Sequence, residues 1–193
     1  MELTSRTALL LVDVQRWFDV AAHWGERNNL DAERNITRLL QAWRAAGRPV
    51  RHLRHDSTEA GSPLHPSHPG NRLKPEAEPA AGEIVYGKSV NSGFIGTTLE
   101  QDLRGDGVDS LVIVGLTTNH CVSTTARMAA NLGLRTAVVS DATATFARRA
   151  LDGRMRPAQE VHLAALSDLK DEFAEIVSTD ELLGAAPSRA LAS

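Results

Sequence analysis

Three side chains capable of chemistry follow apolar segments of the sequence. Asp13 directly follows the aliphatic run of residues 8–12, Lys88 lies in a glycine-flanked stretch, and Cys121 comes six residues after Gly115, which closes another run. A carboxylate can accept a proton, a thiol can attack a carbonyl carbon, and an ammonium can hold anions in place. We therefore take these three residues as the first candidates for a catalytic site.

The position of Cys121 favours a reactive thiol. Residues 122–132 have helical spacing, so we expect the sulfur at a helix amino terminus, where unpaired N–H groups and the helix dipole would lower its pKa. Each candidate also has a structural interpretation: Cys121 as an inert buried cysteine, Asp13 as a turn or helix cap, and Lys88 as a solvated charge. The positions alone leave both interpretations open.

A group of histidines is the sequence cluster that could bind a metal. It comprises His52, His55, His65 and His68, together with Asp56. The spacing matches no compact zinc motif, and histidines in a proline-rich loop are usually surface residues. The sequence also has no Gly-x-Gly-x-x-Gly motif and no phosphate-binding loop. We therefore predict a site that uses neither a metal nor an organic cofactor.

Apolar and helical segments alternate along the chain. A continuous aliphatic run, which is typical of a strand buried on both faces, lies at residues 8–12, and we interpret residues 48–53, 111–115 and 136–140 in the same way, with a weaker copy at 175–178. Helical spacing occurs at residues 30–46, 97–104, 120–132 and 156–169. This order predicts an α/β fold of the Rossmann-like, three-layer αβα class, with an open, mainly parallel sheet and helices on both faces. Such sheets bind ligands beyond the carboxyl ends of their strands.

Two segments fall outside this alternation. Residues 56–82 are rich in proline and poor in apolar residues, which predicts a long loop that could act as a lid or a subunit contact. Residues 184–193 are predicted to form a flexible tail. We find neither a repeat nor a linker, so we expect residues 1–193 to form a single domain.

Composition excludes several classes of protein. Of the 193 residues, 42% are hydrophobic and 23% charged, and the net charge is -3, without the basic surface expected of a nucleic-acid or membrane-surface protein. The longest apolar run is far too short to span a bilayer. One cysteine cannot form an intrachain disulfide, which favours the cytoplasm. Small molecules, and neither nucleic acids nor membranes, are therefore the expected partners.

Three ordered motifs together resemble the isochorismatase-like superfamily of cysteine hydrolases. They are Leu-Leu-Leu-Val-Asp13-Val-Gln15-x-x-Phe18, Lys88-x-x-x-Ser92-x-Phe94 and Gly115-Leu-Thr-Thr-Asn-His-Cys121-Val122. The resemblance extends from about residue 8 to residue 178. Each motif alone is weak, but agreement of all three in order is specific.

The resemblance implies a mechanism and a set of site residues. Asp13, Lys88 and Cys121 would form the catalytic triad: Asp13 takes the thiol proton, Lys88 holds both anions, and Cys121 attacks a carbonyl or carbamoyl carbon to give an acyl-enzyme. Ammonia or an amine would leave. The resemblance further implies a cis peptide bond between Leu116 and Thr117, and an oxyanion hole made by the backbone N–H groups of Thr117 and Cys121.

One departure bears on the branch of the superfamily. Nicotinamidases bind a metal through an Asp-x-His motif, whereas the corresponding stretch here reads Arg54-His55-Asp56-Ser57. This favours a metal-independent hydrolase of small amide or carbamoyl compounds, with a nicotinamidase-type amidase as the alternative. Members that cleave the vinyl ether of isochorismate lack the nucleophilic cysteine, so Cys121 argues against that reaction.

A second alternative is a non-catalytic or redox-sensing thiol protein of the same fold. A sensor would leave Asp13 and Lys88 unexplained, so we favour the enzyme. Aromatic and polar side chains near the motifs are candidates for binding the substrate, with core packing as the other interpretation. They are Gln15, Trp17, Phe18, Trp24, Phe94 and His120. Relatives commonly assemble, so we also expect a homodimer or homotetramer.

Overall fold

The computed structural model describes residues 1–184 and contains a central sheet of six strands, all parallel. Their order across the sheet is β3-β2-β1-β4-β5-β8, and a separate antiparallel pair joins β6 to β7. The strands are β1 (Thr7–Val12), β2 (Val50–His55), β3 (Ile84–Lys88), β4 (Ser110–Leu116), β5 (Arg135–Ala144), β6 (Arg148–Arg149), β7 (Met155–Arg156) and β8 (Glu175–Val177). Apart from Gly184, the predicted tail lies outside the described residues.

Within the described residues, five α-helices and several shorter turns lie between these strands, and a sixth α-helix follows the last strand. The helices are α1 (Ala21–Trp24), α2 (Ala32–Ala45), α3 (Leu99–Gly105), α4 (Ser123–Asn131), α5 (Ala158–Ser167) and α6 (Thr179–Leu183). Turns of 3-10 helix lie at Arg16–Asp19, Pro69–Asn71 and Pro75–Ala77, and one π-helical turn lies at Thr118–Val122. Within residues 1–184, no helix has the length and apolar character needed to cross a bilayer.

The sheet is covered on both faces, which confirms the three-layer α/β class. In β1, Leu9 and Leu11 belong to one apolar cluster and Leu10 and Val12 to another, because successive side chains of a strand point to opposite faces. The first cluster includes the buried face of α2, and the second includes residues of α3 and α4. Two-sided burial explains why β1 is an unbroken aliphatic run.

The four long predicted helices all form, with ends within a few residues of expectation. The main difference is β3, for which the sequence offers only a short apolar pair. This strand lies at the sheet edge, and it contains Gly87 and Lys88 in place of a continuous apolar run. The pair formed by β6 and β7 was also not expected, since two-residue strands leave almost no periodic signal. Residues 56–82 form the predicted loop, with two 3-10 turns within it.

Candidate active site

The carboxyl ends of β1, β3 and β4 meet at one edge of the sheet. Asp13 follows β1 directly and adopts a positive φ of 49°, a conformation that Asp tolerates better than most residues. Its N–H donates to the Leu53 carbonyl at 3.0 Å, and its own carbonyl accepts from the Gln15 N–H at 2.8 Å. These bonds turn the chain so that the carboxylate lies at the end of the sheet.

Gly115 makes the approach of β4 to β1 possible. It pairs with Val12 in the sheet, has φ of 116°, and a side chain there would bring a Cβ within 2.0 Å of the Val12 carbonyl oxygen. Only glycine fits both the space and the backbone conformation. The Leu116–Thr117 peptide bond that follows is cis, at the position that the sequence resemblance implies.

Lys88 and Asp13 form a buried ion pair at this edge. The side chain of Lys88 is fully buried, and its Nζ donates to Asp13 Oδ2 at 2.8 Å and to the Val90 carbonyl at 3.1 Å. The other carboxylate oxygen of Asp13, Oδ1, is buried and has no hydrogen-bond partner among the described residues. The ammonium therefore holds one oxygen while the second remains able to accept a proton.

Cys121 lies in the π-helical turn that precedes α4, next to this pair. Its Sγ, one carboxylate oxygen of Asp13 and one ring nitrogen of His55 all lie within 4.8 Å of one another. Burial raises the pKa of the thiol, the negative charge of Asp13 raises it further, and Lys88 opposes both, with a net value of about 12. We expected the start of a helix to lower this pKa; burial and the neighbouring carboxylate outweigh that effect.

His55 is a member of the site that the sequence suggested only as a metal ligand. Its Nδ1 lies 3.4 Å from Lys88 Nζ, and burial together with the charge of Lys88 lowers its pKa, so the imidazole is neutral. Its backbone is clamped on both sides: the N–H donates to Gln15 Oε1 at 2.9 Å, and the carbonyl accepts from Gln15 Nε2 at 3.1 Å and Asn71 Nδ2 at 3.0 Å. Buried amides thus fix the position of His55.

The histidine cluster weighed from the sequence does not assemble in residues 1–184. His52 pairs with Glu83 at 2.8 Å, His65 contacts Ser67, and His68 caps its own 3-10 turn. Over the same residues, the group with metal-compatible spacing is instead Asp13, His55 and Cys121.

Metal binding by that group would conflict with Lys88. The ammonium already binds Asp13 and lies beside His55, and its charge would repel a divalent cation. The residues therefore fit a lysine–carboxylate pair better than a metal centre.

A cavity of about 290 Å³ opens onto these groups. Asp13 and Cys121 both line it, and aromatic side chains are among its other lining residues. The other lining residues are Phe18, Trp24, His55, Leu64, Asn91, Thr117 and His120. A second cavity, also about 290 Å³, adjoins the first and shares three of these residues, namely Trp24, Thr117 and His120.

The candidates for substrate binding divide into two groups. Phe18, Trp24 and His120 line the cavity that contains Asp13 and Cys121, whereas Gln15, Trp17 and Phe94 do not. Gln15 is fully buried, and its side-chain amide hydrogen-bonds the backbone of His55, as described above. Trp17 packs against the rings of His23 and His68, and Phe94 packs against the core beneath α3 and α4.

Several residues that line the two cavities carry no signal in the sequence. Leu64 comes from the proline-rich loop, Asn91 follows β3, and Arg148 lies in β6. None of them stands at the end of an aliphatic run, which was the signal that identified Asp13 and Cys121. Only the short distance between Asn91 and Lys88 along the chain could have drawn attention to one of them.

Comparison with known proteins agrees with this geometry. Residues 7–181 match the Isochorismatase domain family. The isochorismatase family protein YrdC of Bacillus subtilis is 44% identical over 181 residues, covering 94% of this chain and 96% of YrdC. The ureidoacrylate amidohydrolase RutB of Methylobacterium radiotolerans is 31% identical over 221 residues, covering 95% of this chain and 81% of RutB.

Solved structures give the same result. A hydrolase of the isochorismatase family from Chromobacterium violaceum superposes with a TM-score of 0.92 at 42% identity, covering 95% of each chain. The match of the domain over nearly the whole chain, together with relatives of this identity and coverage, shows that the chain belongs to the isochorismatase family.

Proposed function

We propose that this protein is a cysteine amidohydrolase that cleaves a C–N bond of a small amide or carbamoyl compound and releases ammonia or an amine. One observation carries the proposal: a buried lysine–carboxylate pair in which Asp13 Oδ1 has no hydrogen-bond partner among the described residues, and in which a carboxylate oxygen of Asp13 lies within 4.8 Å of the thiol of Cys121. Family membership and the amidohydrolase relative support the same class, a hydrolase of C–N bonds other than peptide bonds.

The first step is attack by sulfur with removal of its proton. Because the pKa of Cys121 is raised to about 12, the resting group at neutral pH is a thiol, and attack requires a base. Asp13 accepts the proton through Oδ1 as Sγ bonds to the carbonyl carbon, while Lys88 continues to hold Oδ2. The ammonium of Lys88 compensates the negative charge of Asp13 in this buried position.

Attack of the sulfur gives a tetrahedral intermediate, which then collapses to an acyl-enzyme. The carbonyl oxygen takes the negative charge, and the N–H groups of Thr117 and Cys121 would donate to it; one such donor is worth roughly 3 kcal/mol in a transition state. The C–N bond breaks, Asp13 returns its proton to the leaving nitrogen, and the amine departs. A water molecule then attacks the thioester and gives a proton to Asp13, the C–S bond breaks, and that proton restores the thiol.

The redox-sensing alternative is less well supported. A sensor cysteine needs a low pKa and good exposure, whereas Cys121 is half-buried and its pKa is raised. The same raised pKa suits a nucleophile that is deprotonated only when a base and a substrate are both in place.

The proposal is tested by incubating the protein with a set of small amides and carbamoyl compounds, nicotinamide included. Ammonia release is measured for each compound, and covalent adducts are measured by mass spectrometry. We expect ammonia release with at least one compound, and an acyl adduct on Cys121, the only cysteine in the chain, when a slow substrate is used. Cys121→Ala is the matched control and should form no adduct. Retention of more than a few per cent of activity by folded Cys121→Ala would contradict covalent catalysis.

A further inference from the structure

The second cavity has a charged group that the proposed mechanism does not use. Arg148 lines this cavity and is exposed, and within residues 1–184 no carboxylate lies within ion-pair distance of its guanidinium. The other three arginines of the same hairpin do find acceptors in the protein: Arg154 and Arg156 pair with Glu160, and Arg149 donates to the Gly153 carbonyl. Arg148 is thus a guanidinium at a cavity without a counter-charge.

Arg148 donates a hydrogen bond to a neutral imidazole in the turn that contains Cys121. Its Nη1 donates to His120 Nε2 at 2.7 Å. Burial lowers the pKa of His120 and the charge of Arg148 lowers it further, so the imidazole is neutral and Nε2 accepts. The ring proton is then on Nδ1, which lies 3.3 Å from Thr117 Oγ1. The hydrogen bond from Nη1 to His120 orients the guanidinium of Arg148 and uses only one of its five N–H donors.

The rest of this cavity's lining does not supply a negative charge. Besides Arg148 and His120, it consists of His23, Trp24, Thr117, Asn119, Thr145, Phe146 and Ala147. Since the cavity adjoins the one that contains Asp13 and Cys121, a molecule with its amide over Sγ can extend into it. The free donors of a planar guanidinium match a carboxylate in geometry as well as in charge.

We propose that Arg148 forms an anion subsite, and that the substrate is a small amide or carbamoyl compound that carries a carboxylate. The inference rests on the proposed function and adds the substrate class to it. Arg148 would bind the carboxylate in the second cavity and thereby hold the amide carbon over the thiol.

Alkylation of Cys121 by two reagents of similar size tests this inference without knowledge of the substrate. Iodoacetate carries a carboxylate and iodoacetamide is its neutral counterpart; in each case the thiol releases its proton to the solvent, the sulfur bonds to the methylene carbon, and iodide leaves. Because the chain has one cysteine, the rates are read directly by mass spectrometry. The ratio of the two rates measures anion recognition, since a change in thiol reactivity alters both rates alike.

We expect Arg148→Met to lower the ratio of iodoacetate rate to iodoacetamide rate about tenfold, the factor lost with one charge-assisted hydrogen bond. Arg148→Lys should retain part of the ratio. Arg149→Met is the matched control: it removes the same charge from the adjacent residue, which lines neither cavity, and should change the ratio less than twofold.

Two outcomes would overturn the subsite: an unchanged ratio in Arg148→Met, or an equal fall in Arg149→Met, which would indicate only the general field of the hairpin. A wild-type protein that neither reagent labels would contradict an accessible nucleophile, and with it both the proposed function and the subsite. Labelling with the expected ratios but without amide turnover would contradict the proposed function alone.

Discussion

At the scale of single residues, the thiol of Cys121 is controlled by opposing charges. Burial raises the pKa of this thiol most, the charge of Asp13 raises it further, and the charge of Lys88 lowers it. The carboxylate that contributes to the low reactivity of the resting thiol is also the base that the proposed mechanism requires. Reactivity toward a simple alkylating reagent and catalytic activity should therefore respond in opposite directions when Asp13 is changed.

Asp13→Asn should make Cys121 more reactive toward iodoacetamide while abolishing hydrolysis. In the wild type, a thiol with a pKa of about 12 gives an alkylation rate that rises through pH 8 to 11 without a plateau. Removing the carboxylate charge lowers this pKa, so the rate at pH 8 should increase about tenfold or more. Asp109→Asn, which removes a half-exposed carboxylate next to the amino end of β4, is the control. A wild-type rate that levels off near pH 8 would show that the thiol is not suppressed.

Lys88→Met should destabilise the protein as well as inactivate it. It leaves the buried carboxylate of Asp13 without a counter-charge, which costs about 3–5 kcal/mol in the free energy of unfolding. The double variant Asp13→Asn, Lys88→Met removes both charges and should recover most of this loss without recovering activity. Urea denaturation of the wild type, both single variants and the double variant measures the coupling. Additive losses would indicate that the two side chains do not interact.

At the scale of elements, Glu83 joins α2, β2 and the segment that enters β3. Arg44 of α2 donates to both of its carboxylate oxygens at 2.7 and 2.8 Å, and His52 of β2 lies 2.8 Å from Oε2. Burial raises the pKa of Glu83, but these partners and the Ala80 N–H more than offset it, and the pKa falls to about 2. The ionised carboxylate therefore stabilises the fold.

Glu83→Gln should reduce the free energy of unfolding at pH 7 by about 1–2 kcal/mol, a value reduced for partial exposure to solvent. A lowered pKa means that the stabilisation is present above about pH 4.5 and is lost as the pH falls toward 2. The variant should thus lose pH dependence in that range, as followed by urea denaturation at several pH values. Glu59→Gln, in the exposed loop, should behave like the wild type. An equal acid transition in Glu83→Gln would contradict this role.

At the scale of the whole molecule, we expect activity without a metal. Lys88 occupies the carboxylate that a cation would need, and Ser57 stands where the nicotinamidase motif requires a histidine. Exhaustive chelation should leave turnover unchanged, measured as ammonia release before and after dialysis. Loss of activity that zinc, manganese or iron restores would show that Asp13, His55 and Cys121 hold a metal after all.

Assembly into a homodimer or homotetramer is a second prediction at this scale. Large apolar side chains are exposed on the surface, among them Leu30 at 82% and, in the hairpin of β6 and β7, Met155 at 56% and the fully exposed Leu151. Burying such residues between symmetric copies would be favourable. Light scattering at micromolar concentration should report two or four times the chain mass of 20.8 kDa. A mass equal to one chain would refute the prediction.

The sequence by itself determined the class of fold and the order of its main elements. Aliphatic runs such as residues 8–12 and 111–115 predict buried parallel strands because a strand covered on both faces needs apolar side chains at every position. Asp13 and Cys121 could be identified as candidates because they follow such runs. The edge strand β3 could not be predicted, since one exposed side relaxes that requirement, and Lys88 was identified mainly through a family resemblance.

Only the tertiary structure decided how these residues interact. The pKa of Cys121 depends on burial and on a carboxylate more than one hundred positions away in the chain, so its direction could not be derived from the local helix. The same holds for His55, fixed by Gln15 and Asn71, and for Arg148, which reaches the cavity from a two-residue strand. The local periodicity of the sequence encodes the helices and strands. The pKa values of the site residues and the lining of the cavities depend instead on contacts between residues that are distant in sequence.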